Sequence, residues 1–195
     1  SKYIESYSLI KTLRYGENPH QKAFWYGLTN IGWNSAEQLQ GKELSYNNLL
    51  DLESALSTVL EFGYEEKDIL TTNQCACVIL KHNNPCGASI GNSASQAFLN
   101  ALDCDSVSAF GGIVAFNANV DSETSTKLKD IFLECVVAPS FDSEALEILK
   151  IKKNLRILSL SKDKLPKHNQ SSTKSIMGGL LVQDTDNSED KTENW

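Results

Sequence analysis

The heptapeptide Lys81-His82-Asn83-Asn84-Pro85-Cys86-Gly87 follows directly on the apolar run Cys75-Ala76-Cys77-Val78-Ile79-Leu80. That run has the length and β-branched content of a buried strand, and six residues of this kind also fit a buried helical turn. The heptapeptide itself is not helical. Pro85 biases Asn84 away from the α region, and Gly87 permits backbone angles that other residues avoid. Ser93 to Leu102 then reads as a helix. The expectation is a strand, a tight loop and a helix, with a cation and an imidazole at the carboxyl end of the strand. In open α/β sheets ligands bind at that end. The residue types leave two readings of Lys81 and His82. One is a solvated edge charge beside a structural imidazole. The other is a functional pair, in which a neutral imidazole takes a proton near pH 7 and the ammonium meets a developing oxyanion.

A chain of 195 residues suits one domain, or one large lobe, with ample apolar material for a core. Lysine and arginine total 18 against 25 acids, a net charge of −7. That balance argues against nucleic acid as a partner and still allows a local basic pocket for a small phosphate. No apolar stretch reaches membrane-spanning length, and Ser1 to Ser6 lack a signal-peptide core, so the sequence reads as cytosolic. The five cysteines, Cys75, Cys77, Cys86, Cys104 and Cys135, are odd in number and suit reduced thiols. Cys75 and Cys77 would share one strand face as a metal pair or as ordinary core, and no second ligand pair lies nearby.

Leu13-Arg14-Tyr15-Gly16-Glu17-Asn18-Pro19-His20-Gln21 forms a turn-rich loop. Arg14 is a bidentate partner for phosphate or carboxylate with Tyr15 beside it as a donor, or else a surface arginine in a salt bridge. Ala23 to Tyr26 is strand-like. Tyr46-Asn47-Asn48 is read as the N-cap region of a helix carrying Leu49, Leu52, Leu56, Val59 and Leu60, with Asp51 and Glu53 in an acidic first turn and Gly63 as terminator. Ala109-Phe110-Gly111-Gly112 precedes an apolar strand, Ile113 to Phe116, where glycines let a ligand approach the backbone. Val120 to Phe132 is predicted helical with a cap at Asp121 or Ser122, Glu134 to Pro139 a strand, Ser143 to Lys150 a helix, and Leu155 to Leu160 a strand. Ser161 to Lys174 reads as a linker, Gly178 to Gln183 as a last strand, and 185–195 as an acidic tail. The alternation of strand, loop and helix makes an α/β layered domain the economical fold.

A zinc nucleoside deaminase needs His-x-Glu and Pro-Cys-x-x-Cys. His82-Asn83-Asn84 lacks the glutamate, and Pro85-Cys86-Gly87-Ala88-Ser89 lacks the second cysteine. A Walker loop and Gly-x-Gly-x-x-Gly are also missing from the sequence.

Six segments in order, LRYGENPHQ, GKELSYNNLLDLESA, KHNNPCG, SAFGGIVAFN, VVAPSFDSEAL and GGLLVQD, resemble the AICAR transformylases. These are the formyltransferase domains of bifunctional purine-biosynthesis enzymes that also carry IMP cyclohydrolase. The resemblance runs from Leu13 to Asp184. It implies formyl transfer from the co-substrate 10-formyltetrahydrofolate to the 5-amine of AICAR, within a homodimer whose sites are completed across lobes. The implied fold is a three-layer α/β/α sandwich of the cytidine-deaminase-like type without zinc. By motif, Lys81 and His82 match the catalytic pair, and Arg14 and Tyr15 match residues holding the nucleotide. Phe110 and Gly111 match a loop against its base, and Glu134 matches an acid for the substrate's amine or amide.

Two departures stand out. Asp105-Ser106 replaces a usual Asp-Pro, which is expected to loosen a turn. The resemblance also covers only a first lobe, without the preceding cyclohydrolase domain or a second transformylase lobe. The piece is therefore expected to fold but to lack turnover. A stand-alone nucleotide-binding module and a divergent deaminase-like hydrolase are the competing classes.

Overall fold

Alternating buried strands and amphipathic helices give the chain its order. The computed structural model describes residues 4–65, 74–166 and 171–184. The chain divides after Lys164 into two compact units. In the first, β1 (Ser8–Leu13) and β2 (Ala23–Gly27) form an antiparallel two-stranded sheet. They are followed by β3 (Glu37–Gln40), α1 (Tyr46–Leu60), β4 (Cys75–Lys81), β5 (Asn84–Gly91) and α2 (Ala94–Cys104). Then come β6 (Gly112–Phe116), α3 (Ser122–Leu128), β7 (Leu133–Ala138), α4 (Ser143–Leu149) and β8 (Arg156–Ser159). The main sheet has six strands in the order β3-β8-β7-β6-β4-β5.

The sheet is mixed. Strands β6, β7 and β8 run parallel, as strand–helix–strand crossovers require, while β4 is antiparallel to β6 and β3 to β8. One face buries Cys77, Ile79, Val114, Phe116, Val136 and Ile157 in a single cluster with Phe98 of α2, Leu128 of α3 and Leu149 of α4. The alternate residues Val78, Leu80, Ile113, Ala115 and Val137 are buried as well. Because successive side chains point to opposite faces, they belong to the face on which α1 packs, against β4, β6 and β7. Both faces covered explains why these strands read as unbroken apolar runs. The fold is therefore α/β with a mixed central sheet and helices.

Several expectations are corrected. The loop after Lys81 does not lead straight into a helix. It is a two-residue hairpin turn, His82-Asn83, and β5 returns along β4 before α2 begins. Pro85 sits within β5, which is an edge strand, where a missing N–H is tolerated. Because β4 opposes β6, its carboxyl end lies at the amino-terminal edge of the parallel strands, so the usual rule about carboxyl ends does not describe the set β6–β8.

Helix α1 is capped by Ser45 rather than by Tyr46 to Asn48. Asn48 N–H donates to Ser45 Oγ at 3.1 Å, Ser45 N–H donates to Asn48 Oδ1 at 3.1 Å, and no acid lies in the first turn. Such a cap is worth ~1 kcal/mol, against ~1.5–3 kcal/mol for each of the buried Leu52 and Val59. Packing thus holds the helix, and the cap fixes where it starts. The predicted helix from Val120 to Phe132 shrinks to α3, capped by Asp121. Val120 is held in a bridge to Phe141, and the chain leaves α3 through a turn in which Ile131 N–H donates to Leu128 O. Strands β1 and β3 were not predicted.

The second unit holds β9 (Ser172–Ile176) and β10 (Gly179–Gln183), paired antiparallel. Met177-Gly178 is their turn, with Gly178 at φ 73°. The linker expected over Ser161 to Lys174 thus contains a 3₁₀ turn at Lys162–Lys164 and the start of β9, whereas 167–170 lie outside the described residues. The expected acidic tail, 185–195, also lies outside them.

Candidate functional site

Helix α1 organises the site, and each of its first turns reaches a different functional segment. At its start, Ser45 lines a cavity of about 240 Å³ with Lys11, Arg14, Tyr15, Lys42 and Arg156. One turn on, Asn48 Nδ2 donates to Glu134 Oε2 at 2.9 Å. Beyond that, the Asp51 carboxylate accepts from Asn83 N–H at 2.8 Å. At 1.5 Å of rise per residue, Ser45 and Asp51 stand ~9 Å apart along the helix.

The cavity is cationic. Lys11 pairs with Glu43 at 2.9 Å and holds that carboxyl below its ordinary range, through a hydrogen bond and through charge. Arg156 Nε donates to Glu43 O at 3.0 Å. Arg14 has no carboxylate partner among the described residues, so the salt-bridge reading of it is not realised. Its guanidinium instead lies 5.6 Å from the centroid of the Tyr15 ring. The loop that carries them is closed by Gly16 N–H to Gln21 O at 2.9 Å and by Asn18 N–H to Gln21 Oε1 at 2.7 Å.

The His82-Asn83 turn has both residues in the left-handed region, at φ 50° and 59°. That is the signature of the hairpin turn that matches strand twist, usually filled by Asn-Gly. Two non-glycine residues there cost roughly 1–2 kcal/mol each. The contact from Asn83 N–H to a charged acceptor offsets part of that cost. The Asn83 side-chain nitrogen belongs on the α1 side, since the reverse sets its oxygen against the Asp51 carboxylate; so turned, it donates to Leu50 O at 3.1 Å and to Ser54 Oγ at 3.2 Å. His82 itself is exposed, and its ring has no partner among the described residues.

Lys81 Nζ donates to Phe110 O at 2.8 Å, which joins the hairpin to the Phe110-Gly111 loop. Phe110 is 59% exposed, and its ring packs 5.1 Å from that of Phe132. Gly111 turns the chain at φ 76°, and its N–H donates to Phe132 O at 2.7 Å. The preceding turn is held despite the Asp105-Ser106 departure. The Asp105 carboxylate accepts from Ser108 Oγ at 2.6 Å and Ser108 N–H at 2.9 Å, which keep it below its ordinary range.

Lys81, His82, Phe110 and Gly111 are therefore brought together, and Glu134 joins them through α1. Arg14 and Tyr15 sit apart from them, beside Ser45 at the start of α1. Sequence reasoning missed Asn48 and Asp51 as supports, and Lys42 and Arg156 in the cavity wall. The Ser45-x-x-Asn48 spacing was the readable signal for the cap. Among the described residues, no group of three or more histidines, cysteines or acids could hold a metal, and no helix is long and apolar enough to cross a membrane.

A mixed α/β domain with a basic cavity and a Lys-His hairpin turn at one sheet edge has the outline of a small-molecule site. The chain belongs to the AICARFT/IMPCHase bienzyme family, whose model matches residues 1–195. It is 88% identical over its whole length to the bifunctional purine biosynthesis protein PurH of Prochlorococcus marinus subsp. pastoris, and 53% identical to that of strain MIT 9211. In both cases it spans 38% of the relative's length. Among solved structures, RibD of Acinetobacter baumannii is a distant likeness, at 17% identity and TM-score 0.42 over 56% of this chain and 36% of that one.

Proposed function

We propose that this chain is the first lobe of an AICAR transformylase domain, taking part in formyl transfer from 10-formyltetrahydrofolate to the 5-amine of AICAR. The observation that carries the reading is the juxtaposition of Lys81, tied to Phe110 O, with an exposed His82, whose ring has no partner among the described residues, on a braced turn. The amine nitrogen attacks the formyl carbon, and the imidazole of His82 takes the proton that the amine loses. The Lys81 ammonium has donors beyond the one given to Phe110 O, and these meet the oxyanion of the tetrahedral intermediate. Collapse breaks the bond from carbon to N10 of the folate, which takes up a proton as it leaves, and the products are formyl-AICAR and tetrahydrofolate.

The substrate's phosphate would occupy the cavity beside Arg14 and Tyr15, where Lys11, Lys42 and Arg156 add positive charge. Ser45, on that cavity, and Asp51, which holds the turn, stand ~9 Å apart along α1, and a ribonucleotide likewise carries its phosphate and its reacting amine at opposite ends. Phe110 and Gly111 would lie against the base, and Glu134 would bind the amine or amide. The reading extends to a zinc-free, cytidine-deaminase-like three-layer sandwich, a cytoplasmic homodimer with sites completed across lobes, and no nucleic-acid or membrane partner.

The test exchanges this sequence for the matching segment of a full-length relative and assays formyl transfer. His82→Ala should lower turnover by ~10²–10⁴-fold. Arg14→Ala should weaken AICAR binding in calorimetry. Turnover retained within about tenfold in His82→Ala would remove the general-base role. AICAR binding with no turnover in the unmutated chimera would favour a nucleotide-binding module, and stoichiometric zinc on His82 and Cys86 would favour a hydrolase. The chain by itself is expected to bind AICAR weakly and not to turn over, because the family relatives are much longer and formyl transfer depends on positioning both substrates.

A further inference from the structure

We infer that Asp51 is a positioning residue for the His82 base, acting through the main chain of Asn83; the inference rests on the role proposed above for His82. The turn carrying His82 is two residues long, and both residues have positive φ without a glycine between them. A turn so unfavourable locally is set by what grips it. Strand pairing fixes its ends, since Lys81 is registered opposite Asn84. Its apex is gripped from outside the sheet, by α1 alone among the described contacts. Asp51 Oδ1 accepts Asn83 N–H at 2.8 Å, and the Asn83 side chain meets Ser54 Oγ at 3.2 Å.

The grip is rigid because α1 is rigid. Leu52, the residue after Asp51, is fully buried, as are Ala55 and Val59, and the Ser45–Asn48 capping box fixes the helix start. Asp51 is half-buried on a helix that also holds Glu134 through Asn48. One element therefore sets the spacing between the proposed base and the proposed amine-binding acid. Loss of the Asp51 oxygen would remove the hydrogen bond that α1 makes to the main chain of the turn, and leave its apex held to α1 only through the Asn83 side chain, on Leu50 O and Ser54 Oγ. A displacement of the reacting group by ~1 Å is enough to cost about 10²-fold in rate.

The experiment uses the full-length chimera with Asp51→Ala, Asp51→Asn and His82→Ala. Asp51→Ala should lower kcat by ~10²-fold with KM for AICAR nearly unchanged, while Asp51→Asn, which keeps an acceptor oxygen, should restore most of that loss. In the chain itself, Asp51→Ala should speed hydrogen exchange of the Asn83 amide and broaden the His82 ring resonances, with the core amides unaffected. Equal losses in Asp51→Ala and Asp51→Asn would overturn the inference, since charge and not the backbone contact would then matter. So would a loss fully accounted for by unfolded protein, or a wild-type kcat in Asp51→Ala while His82→Ala is inactive. If His82→Ala is itself active, the base assignment fails first, and the inference with it.

Discussion

The ammonium of Lys81 donates to the carbonyl oxygen of Phe110 at 2.8 Å, so the end of β4 and the loop before β6 are held together by a side chain and not by the strand ladder. That contact fixes a flexible cation without consuming its charge, because a lysine carries three donors and a carbonyl takes one.

Lys81→Ala should therefore behave as a loss of function with a small loss of stability. Formyl transfer in the chimera should fall by ~10²–10³-fold, the range expected when one oxyanion donor is removed. Unfolding in urea should shift little, since the bond joins a half-buried side chain to an exposed loop. A large drop in the unfolding midpoint would mean that Lys81 is mainly a strut between β4 and the Phe110 loop.

The Asn48–Glu134 bond predicts a pH-dependent lesion. Asn48 is 3% exposed and uses both ends of its amide, accepting from Ser45 N–H and donating to Glu134. Asn48→Asp keeps the acceptor but sets a carboxylate against the Glu134 carboxylate. The pair then binds a proton more tightly when folded than when unfolded. For a raised folded pKa, stability is fullest below the unfolded values of about 4 and is lost as pH rises through the folded value. The variant should lose roughly 1–3 kcal/mol at pH 7 relative to the parent, and less near pH 4. Urea unfolding at both pH values checks this, and an equal deficit at each would refute it.

Much of the fold is legible in the sequence, because fully covered strands are written as apolar runs. Cys75 to Leu80, Ile113 to Phe116 and Glu134 to Pro139 read as strands, and they carry β4, β6 and β7. Of the strands that escaped, β1 and β3 are only partly buried and carry mixed residues such as Lys11, Thr12 and Gln38. The turn was misread because Pro85 and Gly87 look like loop punctuation. On an edge strand a proline is tolerated, and Gly87 serves close packing instead of a turn. The Lys81–Phe110 pairing joins residues 29 apart, and no local spacing encodes it. Asp51 looked like a dipole-compatible acid near a helix start. Its use as an acceptor for Asn83 N–H depends on how α1 lies on the sheet.

Buried thiols predict alkaline lability. Burial pushes Cys135 up from 9.0 to about 12, with nearby carboxylates of Glu134 and Asp51 adding to the effect and Arg156 opposing it. Cys77 is raised by burial as well. Because the folded values are raised, the stabilisation is fully present below the unfolded value of 9.0 and is lost as pH climbs toward 12. The urea midpoint should fall across that window, and Cys135→Ala should flatten the fall even though it lowers the midpoint at pH 7. An unchanged slope would show that Cys135 does not titrate with unfolding.

Two glycines at the site should answer an added methyl very differently. At Gly87 a Cβ would stand 1.9 Å from Ala101 O and 2.8 Å from Ala101 C, both backbone atoms of α2. Backbone cannot rotate away as a side chain would, so β5 and α2 must separate, and these two elements pack along most of their lengths. Gly87→Ala should cost about 1–3 kcal/mol or more, as overpacking against fixed atoms does. At Gly111 the nearest atoms to an added Cβ lie 3.6 Å away on the Phe132 ring, an ordinary contact, and the obstacle is only its φ of 76°. Gly111→Ala should therefore cost ~1–2 kcal/mol from backbone strain alone. The functional order should be reversed. Gly111 neighbours the carbonyl that holds Lys81, so a shift of its loop should lower formyl transfer in the chimera out of proportion to stability. Gly87→Ala should lose activity only as far as it lowers the folded fraction. Urea unfolding beside turnover at matched folded fraction separates the two, and equal specific losses would show that the Phe110-Gly111 loop has no role beyond packing.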